Sequence, residues 1–169
     1  MDMADTFPLM RGGGLFLIAV GLGIVVGSLG GHRWLIPGLI SGAALGVAAM
    51  AAGGITKWIF EGLPYPQWWH WAVLGAAFLL EGFLVSQVVE RFSTQTHQFW
   101  LWMLFIVGVH FLVLVFSHGP ICGLLGVACM ANALIGLRLA NPPVTLFWGI
   151  DGALKVVAGA AMVLLSFNG

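Results

Sequence analysis

The chain is 169 residues long, 60% hydrophobic and only 7% charged, with six Lys/Arg against six Asp/Glu and a mean hydropathy of +1.04. Soluble domains carry about 25% charged residues, so this composition excludes a water-soluble globular domain and makes lipid the solvent of its surface. A formal net charge of zero gives no electrostatic basis for binding nucleic acid or an anionic surface.

A membrane-crossing helix needs about 20 mostly apolar residues, and the sequence contains six such stretches. The start, Met1-Asp2-Met3-Ala4-Asp5, is acidic. The apolar run after Arg11 is longer than the roughly 7–15 residues of a signal-peptide core. A retained helix is therefore expected over 12–29, closed by Gly30-Gly31-His32-Arg33. The second span reads as 34–54. Residues 55–67, with Lys57, Glu61, Pro64 and Pro66, read as a loop with an interfacial turn. The third span is 68–89, ended by Glu90-Arg91 and a polar loop over 93–98. The fourth is 99–117, broken at His118-Gly119-Pro120. The fifth is 121–139, broken at Asn141-Pro142-Pro143, and the sixth is 144–167. Proline removes a backbone donor and glycine frees the backbone, so both stop helices.

The expected fold class is all-α: one domain over 1–169, an integral membrane bundle of six transmembrane helices with its termini on the same side. A bacterial inner (cell) membrane is the expected location. Arg11 and Lys57 lie in loops on the terminal side, and Arg33, Arg91 and Arg138 on the other. By the positive-inside rule this count favours termini outside. Trp34, Trp58, Trp68, Trp69, Trp71, Trp100 and Trp102 fall near span ends and read as an interfacial anchoring belt. Gly23, Gly27 and Gly31 in the first span, and Gly38, Gly42 and Gly46 in the second, recur every four residues. Such stripes let helix backbones approach closely. They are expected to serve as scaffold or as the surface of a homo-oligomer, with these two spans outside the working bundle. Cys122 and Cys129 sit about 10 Å apart along one predicted helix, too far to bridge, and read as two buried thiols.

The sharpest feature is polar. Phe78-Leu79-Leu80-Glu81-Gly82 and Trp148-Gly149-Ile150-Asp151-Gly152 each place a carboxylate in an apolar run, and Lys155 follows one turn after the second. A charge at the bilayer centre costs about 2.5–3.5 kcal/mol on insertion scales. Glu81, His110, Asn132 and Lys155 each lie about ten or eleven residues into their spans, about 15–17 Å deep, with Asp151 one turn shallower. These five residues are expected to face one shared interior and to form a substrate-binding site or pore. A purely structural account is also open: Asp151 and Lys155 can pair at i,i+4, Asn132 can join helices, and His110 can donate to a carbonyl.

No cofactor is expected. A b-type haem needs two histidines facing each other from different helices, and only His110 lies deep. No metal is expected either, because Lys155 opposes a cation beside Glu81, His110 and Asp151. No serine nucleophile motif or phosphate loop occurs, so an enzyme ranks third among the function classes.

The stretch Gly108-Val109-His110-Phe111-Leu112, then Phe116-Ser117-His118-Gly119-Pro120, then 126–136, resembles uncharacterised families of small bacterial multi-helix membrane proteins with a G-x-H-F-L core. The resemblance covers the fourth to sixth spans, about half of the chain, and implies no activity. In span number and size alone the chain is similar to the urea/amide and acetate channel families, which form rings of six-helix protomers. The acetate family's Asn-Pro opening lies in its first span, whereas Asn141-Pro142 here precedes the sixth.

Two functions are expected from these residues. The first is a small channel or transporter for a small solute or proton-coupled substrate, with Glu81-Gly82 and Asp151-Gly152 as equivalent positions of a three-plus-three inverted repeat. The alternative is a structural or accessory subunit of a membrane complex without transport activity.

Overall fold

The computed structural model describes residues 6–167, whose regular secondary structure is helical, without strands. Seven α-helices follow in order: α1 (Met10–Leu29), α2 (Leu35–Ala51), α3 (Gly53–Phe60), α4 (Trp68–Arg91), α5 (His97–His118), α6 (Pro120–Leu137) and α7 (Val144–Leu165), with a 3-10 turn at His32–Trp34 before α2. All but α3 are long and apolar enough to cross a bilayer, with mean hydropathy of 1.6 or more. The chain is an integral membrane protein on that basis. Outward-facing Val26, Leu79, Leu124 and Val157 are each more than half exposed, as lipid-facing side chains should be.

The six long helices form a ring in chain order. α1 packs on α2, α4 on α5, α5 on α6, α6 on α7, and α7 returns to α1. One step is missing: among the described residues α2 and α4 share no packed interface. The ring thus has one seam, where the longest connection of the chain runs.

Glycine closes the tight interfaces. A Cβ on Gly14 would lie 2.7 Å from the Gly159 carbonyl oxygen, and one on Gly21 would lie 2.5 Å from that of Gly152, so α1 and α7 meet backbone to backbone. Gly108 and Gly126 do the same for α5 and α6, each crowding the other's carbonyl at 3.0 and 2.7 Å. Gly23 and Gly38 likewise face each other's carbonyls between α1 and α2. Lipid tails supply no hydrophobic drive between helices, so close packing of this kind must hold them together.

Two expectations change here. The first span is not peripheral: α1 lies between α2 and α7 and contributes to the interior of the ring. Gly23, Gly27, Gly38 and Gly42 of the glycine stripes face one another between α1 and α2, as the scaffold reading expects. The region after the second span is not a loop. The backbone turns extended at Ala52 (ψ 116°) and re-enters a helix over Gly53–Phe60. Thr56 Oγ1 donates there to the Met50 carbonyl, an acceptor that the end of α2 leaves free, and its backbone N–H donates to the Ala52 carbonyl at 3.0 Å.

Arg11, read from sequence as a loop charge, is buried as a clasp. Its Nε donates to Ser166 Oγ at 2.9 Å and its Nη2 to the Ser166 carbonyl at 3.0 Å. Its Nη1 donates to the carbonyls of Trp58 (2.9 Å) and Glu61 (3.0 Å), and the guanidinium lies 4.3 Å from the Phe167 ring centroid. One side chain thus joins the start of α1 to the ends of α3 and α7, which places both ends of the described chain on one side of the bundle. The planar fork of arginine suits such multiple acceptance better than lysine.

Cysteines introduced singly at Asp2 and Asn168 should label from the same side of a sealed vesicle, and one at Ser93 from the other. Labelling of positions 2 and 168 from opposite sides would refute six spans. Gly23→Ala should destabilise the protein by about 1–3 kcal/mol through overpacking. Gly82→Ala, at a site with no neighbour within 4 Å, should be neutral or stabilising by up to about 1 kcal/mol, the helix-propensity gain of alanine over glycine. Unfolding in mixed micelles reads both.

Candidate functional site: a mid-bundle chamber

The helices border a partly open chamber of about 530 Å³. Gly13 and His118 mark its end on the terminal side, and Thr94 and Trp100 its other end. Between them the wall carries Glu81 from α4, His110 from α5, and Asp151 and Lys155 from α7. Aromatic and aliphatic side chains make most of the remainder, including Phe16, Phe78 and Phe111.

Glu81 and His110 form one couple across the α4–α5 interface. His110 Nδ1 is 2.9 Å from Glu81 Oε2 and 3.2 Å from the Ala77 carbonyl. Ala77 and Glu81 are one helical turn apart, so both acceptors lie on the same face of α4. A carbonyl accepts only, so Nδ1 carries the proton in the tautomer that fits both partners. His110 is buried, whereas the Glu81 side chain retains 26% exposure. The G-x-H-F-L core thereby gains a physical meaning. Gly108 lets α6 approach α5, His110 turns into the chamber, and the Phe111 ring lies 5.3 Å from Lys155 Nζ.

Asp151 and Lys155 form the second couple. Lys155 Nζ donates to Asp151 Oδ2 within α7, and both side chains are at most 2% exposed. The other carboxylate oxygen, Oδ1, is buried without a hydrogen-bond partner, with the Cys129 thiol against the carboxylate. Two opposite charges removed from water repay their desolvation only when they stay together.

Asn132 stands apart. It is absent from the chamber wall and donates from Nδ2 to the Phe147 carbonyl at 2.8 Å, joining α6 to the first turn of α7. The expectation that five polar residues share one interior therefore holds for four. Equal depth does not mean equal direction: the small Ala133 and Gly136 beside Asn132 turn that face of α6 toward its neighbours. The two patches that read alike in sequence also differ in surroundings. Gly152 is pressed against α1, while Gly82 has open space around it.

Two histidines near span ends were not singled out by sequence reading. His118 is buried at the terminal-side end of the chamber, where the missing side chain of Gly13 leaves room for its ring. Its Nδ1 lies 2.8 Å from Ser117 Oγ. His70 is buried too; its Nδ1 accepts from the Gln67 backbone at 3.0 Å, and Nε2 is buried without a partner. The glycine at position 13 was the available signal for His118, but its partner is 105 residues away along the chain, beyond any local pattern. Trp100 also departs from the expected belt. It lines the chamber, donates from Nε1 to the Thr94 carbonyl at 2.9 Å, and meets Trp148 edge to face at 5.6 Å. Trp34, Trp68 and Trp71 are at least half exposed, as anchoring residues would be. Both cysteines are free and buried. Among the described residues no three His, Cys, Asp or Glu side chains converge as a metal site would require.

Residues 1–168 match the family of unknown function DUF6609. The chain belongs to that family. No curated protein and no solved structure matches it. The membership agrees with the resemblance to uncharacterised membrane proteins and extends it from the last three spans to nearly the whole chain.

Asp151→Asn should cost about 3–5 kcal/mol, because it strands Lys155 as an unpaired buried charge. The double change Asp151→Asn, Lys155→Gln should cost less than the single one. Equal stability of single and double variants in a denaturant titration would refute a charged pair.

Proposed function

We propose that the protein is a small-solute transporter whose substrate binds in the mid-bundle chamber, with coupling to protons at the Glu81–His110 couple. Glu81, His110, Asp151 and Lys155 are the binding residues in this reading. The observation that carries it is the convergence of these four groups from three helices on one chamber at mid-depth. A structural role alone would be served by pairing each group inside a solid core, as Asn132 is paired. Glutamate and histidine in contact hold one exchangeable proton between them, and histidine titrates nearest neutrality of all side chains. Ionisable groups inside a membrane mark ion and proton pathways more often than they serve stability. The bacterial inner membrane, where a proton gradient is available to drive such exchange, is the proposed location.

The accessory-subunit reading rests on α4, which packs mainly on α5 and leaves much of its surface uncovered. It gives no account of the chamber, and transport is the reading preferred.

Reconstituted into liposomes with a trapped pH dye, the protein should move protons when a solute from a panel of small amines, carboxylates and uncharged compounds is added outside. Glu81→Gln and His110→Phe should each abolish that signal and leave the unfolding midpoint within a few degrees of the parent. A protein that moves no protons with any solute, and loses stability on both substitutions, would be structural instead.

A further inference from the structure

Resting on the transport reading, we propose that the chamber takes a lipophilic organic monocation, which replaces one proton at the Glu81–His110 couple and gains access from the lipid through the seam between α2 and α4. The charge count of the wall carries this. The titratable groups that face the chamber are Glu81, His110, His118, Cys122, Asp151 and Lys155. α1 and α2 add none. Lys155 is bonded to Asp151 and cancels it, which removes the repulsion that the sequence led one to expect against a cation. Glu81 meets only a histidine. With His110 neutral the chamber carries one negative charge, and with one more proton on the couple it carries none. A monocation and a proton therefore satisfy the same deficit, and each excludes the other. One proton leaves as one cation binds, so the exchange is electroneutral.

The Asp151 carboxylate, also on the wall, is already held by Lys155 with the Cys129 thiol against it, which leaves Glu81 as the carboxylate without a protein cation. The rest of the wall selects the type of cation. It offers few oxygens to replace the hydration shell of a metal ion, and no three ligating side chains converge among the described residues. It offers instead the aromatic side chains of Phe16, Phe78, Phe111 and Trp100, a residue type that attracts a weakly hydrated organic cation. Glu81 lies on α4, a helix that borders the seam, and is less buried than His110, Asp151 or Lys155. A hydrophobic cation already dissolved in the bilayer meets that carboxylate first.

The test compares three probes of similar shape on the purified protein in detergent: tetraphenylphosphonium, tetraphenylborate and uncharged triphenylphosphine oxide, by equilibrium dialysis. The phosphonium carries no proton of its own, so any pH dependence belongs to the protein. It should bind at one site per chain, and its Kd should rise about tenfold per pH unit on the acid side of the couple's titration. Tetraphenylborate should not compete. Glu81→Gln should weaken phosphonium binding by about thirtyfold or more and flatten its pH dependence, while Glu81→Asp, which keeps the charge, should preserve both. If all three probes bind alike and Glu81→Gln changes none of them, the chamber binds solutes but the cation assignment is wrong. If none binds, the cation assignment is wrong, and the liposome assay with small solutes decides the transport reading separately.

Discussion

Hydrocarbon offers a buried polar group nothing to bond to, and the rest of this structure depends on that constraint. Every ionisable side chain that the sequence sends to mid-depth must find its partner inside the protein. Asp151 finds Lys155 one turn away on its own helix. Glu81 has no such neighbour and needs α5, where His110 meets it. The α4–α5 contact is thus partly an electrostatic one. α4 is otherwise the loosest member of the ring, with 11% of its apolar window buried against 44% for α5. Polar pairing and helix position are here a single fact.

What draws the remaining helices together is the absence of side chains. Gly14 against Gly159, Gly21 against Gly152, Gly23 against Gly38 and Gly108 against Gly126 place backbone on backbone at three interfaces. Where glycine is used this way the ring is shut, and the seam between α2 and α4 has no such contact. Gly75 and Gly82 on α4 have no neighbour within 4 Å. The same residue type therefore packs α1, α2, α5, α6 and α7 tightly and leaves α4 free. A chamber bounded by three glycine-packed interfaces and one loose helix has its rigid and its yielding sides in fixed places. The yielding side carries the carboxylate.

The two ends of the chamber are closed by unlike means. On the terminal side Arg11 ties three helix ends with four hydrogen bonds, and the His118 ring fills the space over Gly13. On the other side Trp100 and Trp148 meet edge to face, and Trp148 Nε1 donates to the Trp100 carbonyl at 3.4 Å. Neither end draws on the polar couples at mid-depth. The charges are therefore free to face the chamber.

The sequence by itself determined the solvent, the number of spans and their ends to within a few residues, because hydropathy, proline and glycine act locally along the chain. It also determined the Asp151–Lys155 pair, whose partners are four residues apart on one helix, and the depth of each polar group, which is a count of residues. Direction was beyond it. Whether His110 and Asn132 turn toward the same space depends on how α5, α6 and α7 are rotated, and only the packing of the ring sets that rotation. So the tertiary structure decided that Glu81 meets His110, that Asn132 serves the α6–α7 interface, and that Arg11 is a clasp. It also placed α1 inside the bundle, because the glycines at 14 and 21 have their partners near the far end of the chain. Contacts between residues far apart in the chain, such as Glu81 with His110 and Gly13 with His118, leave no periodic trace in a single sequence.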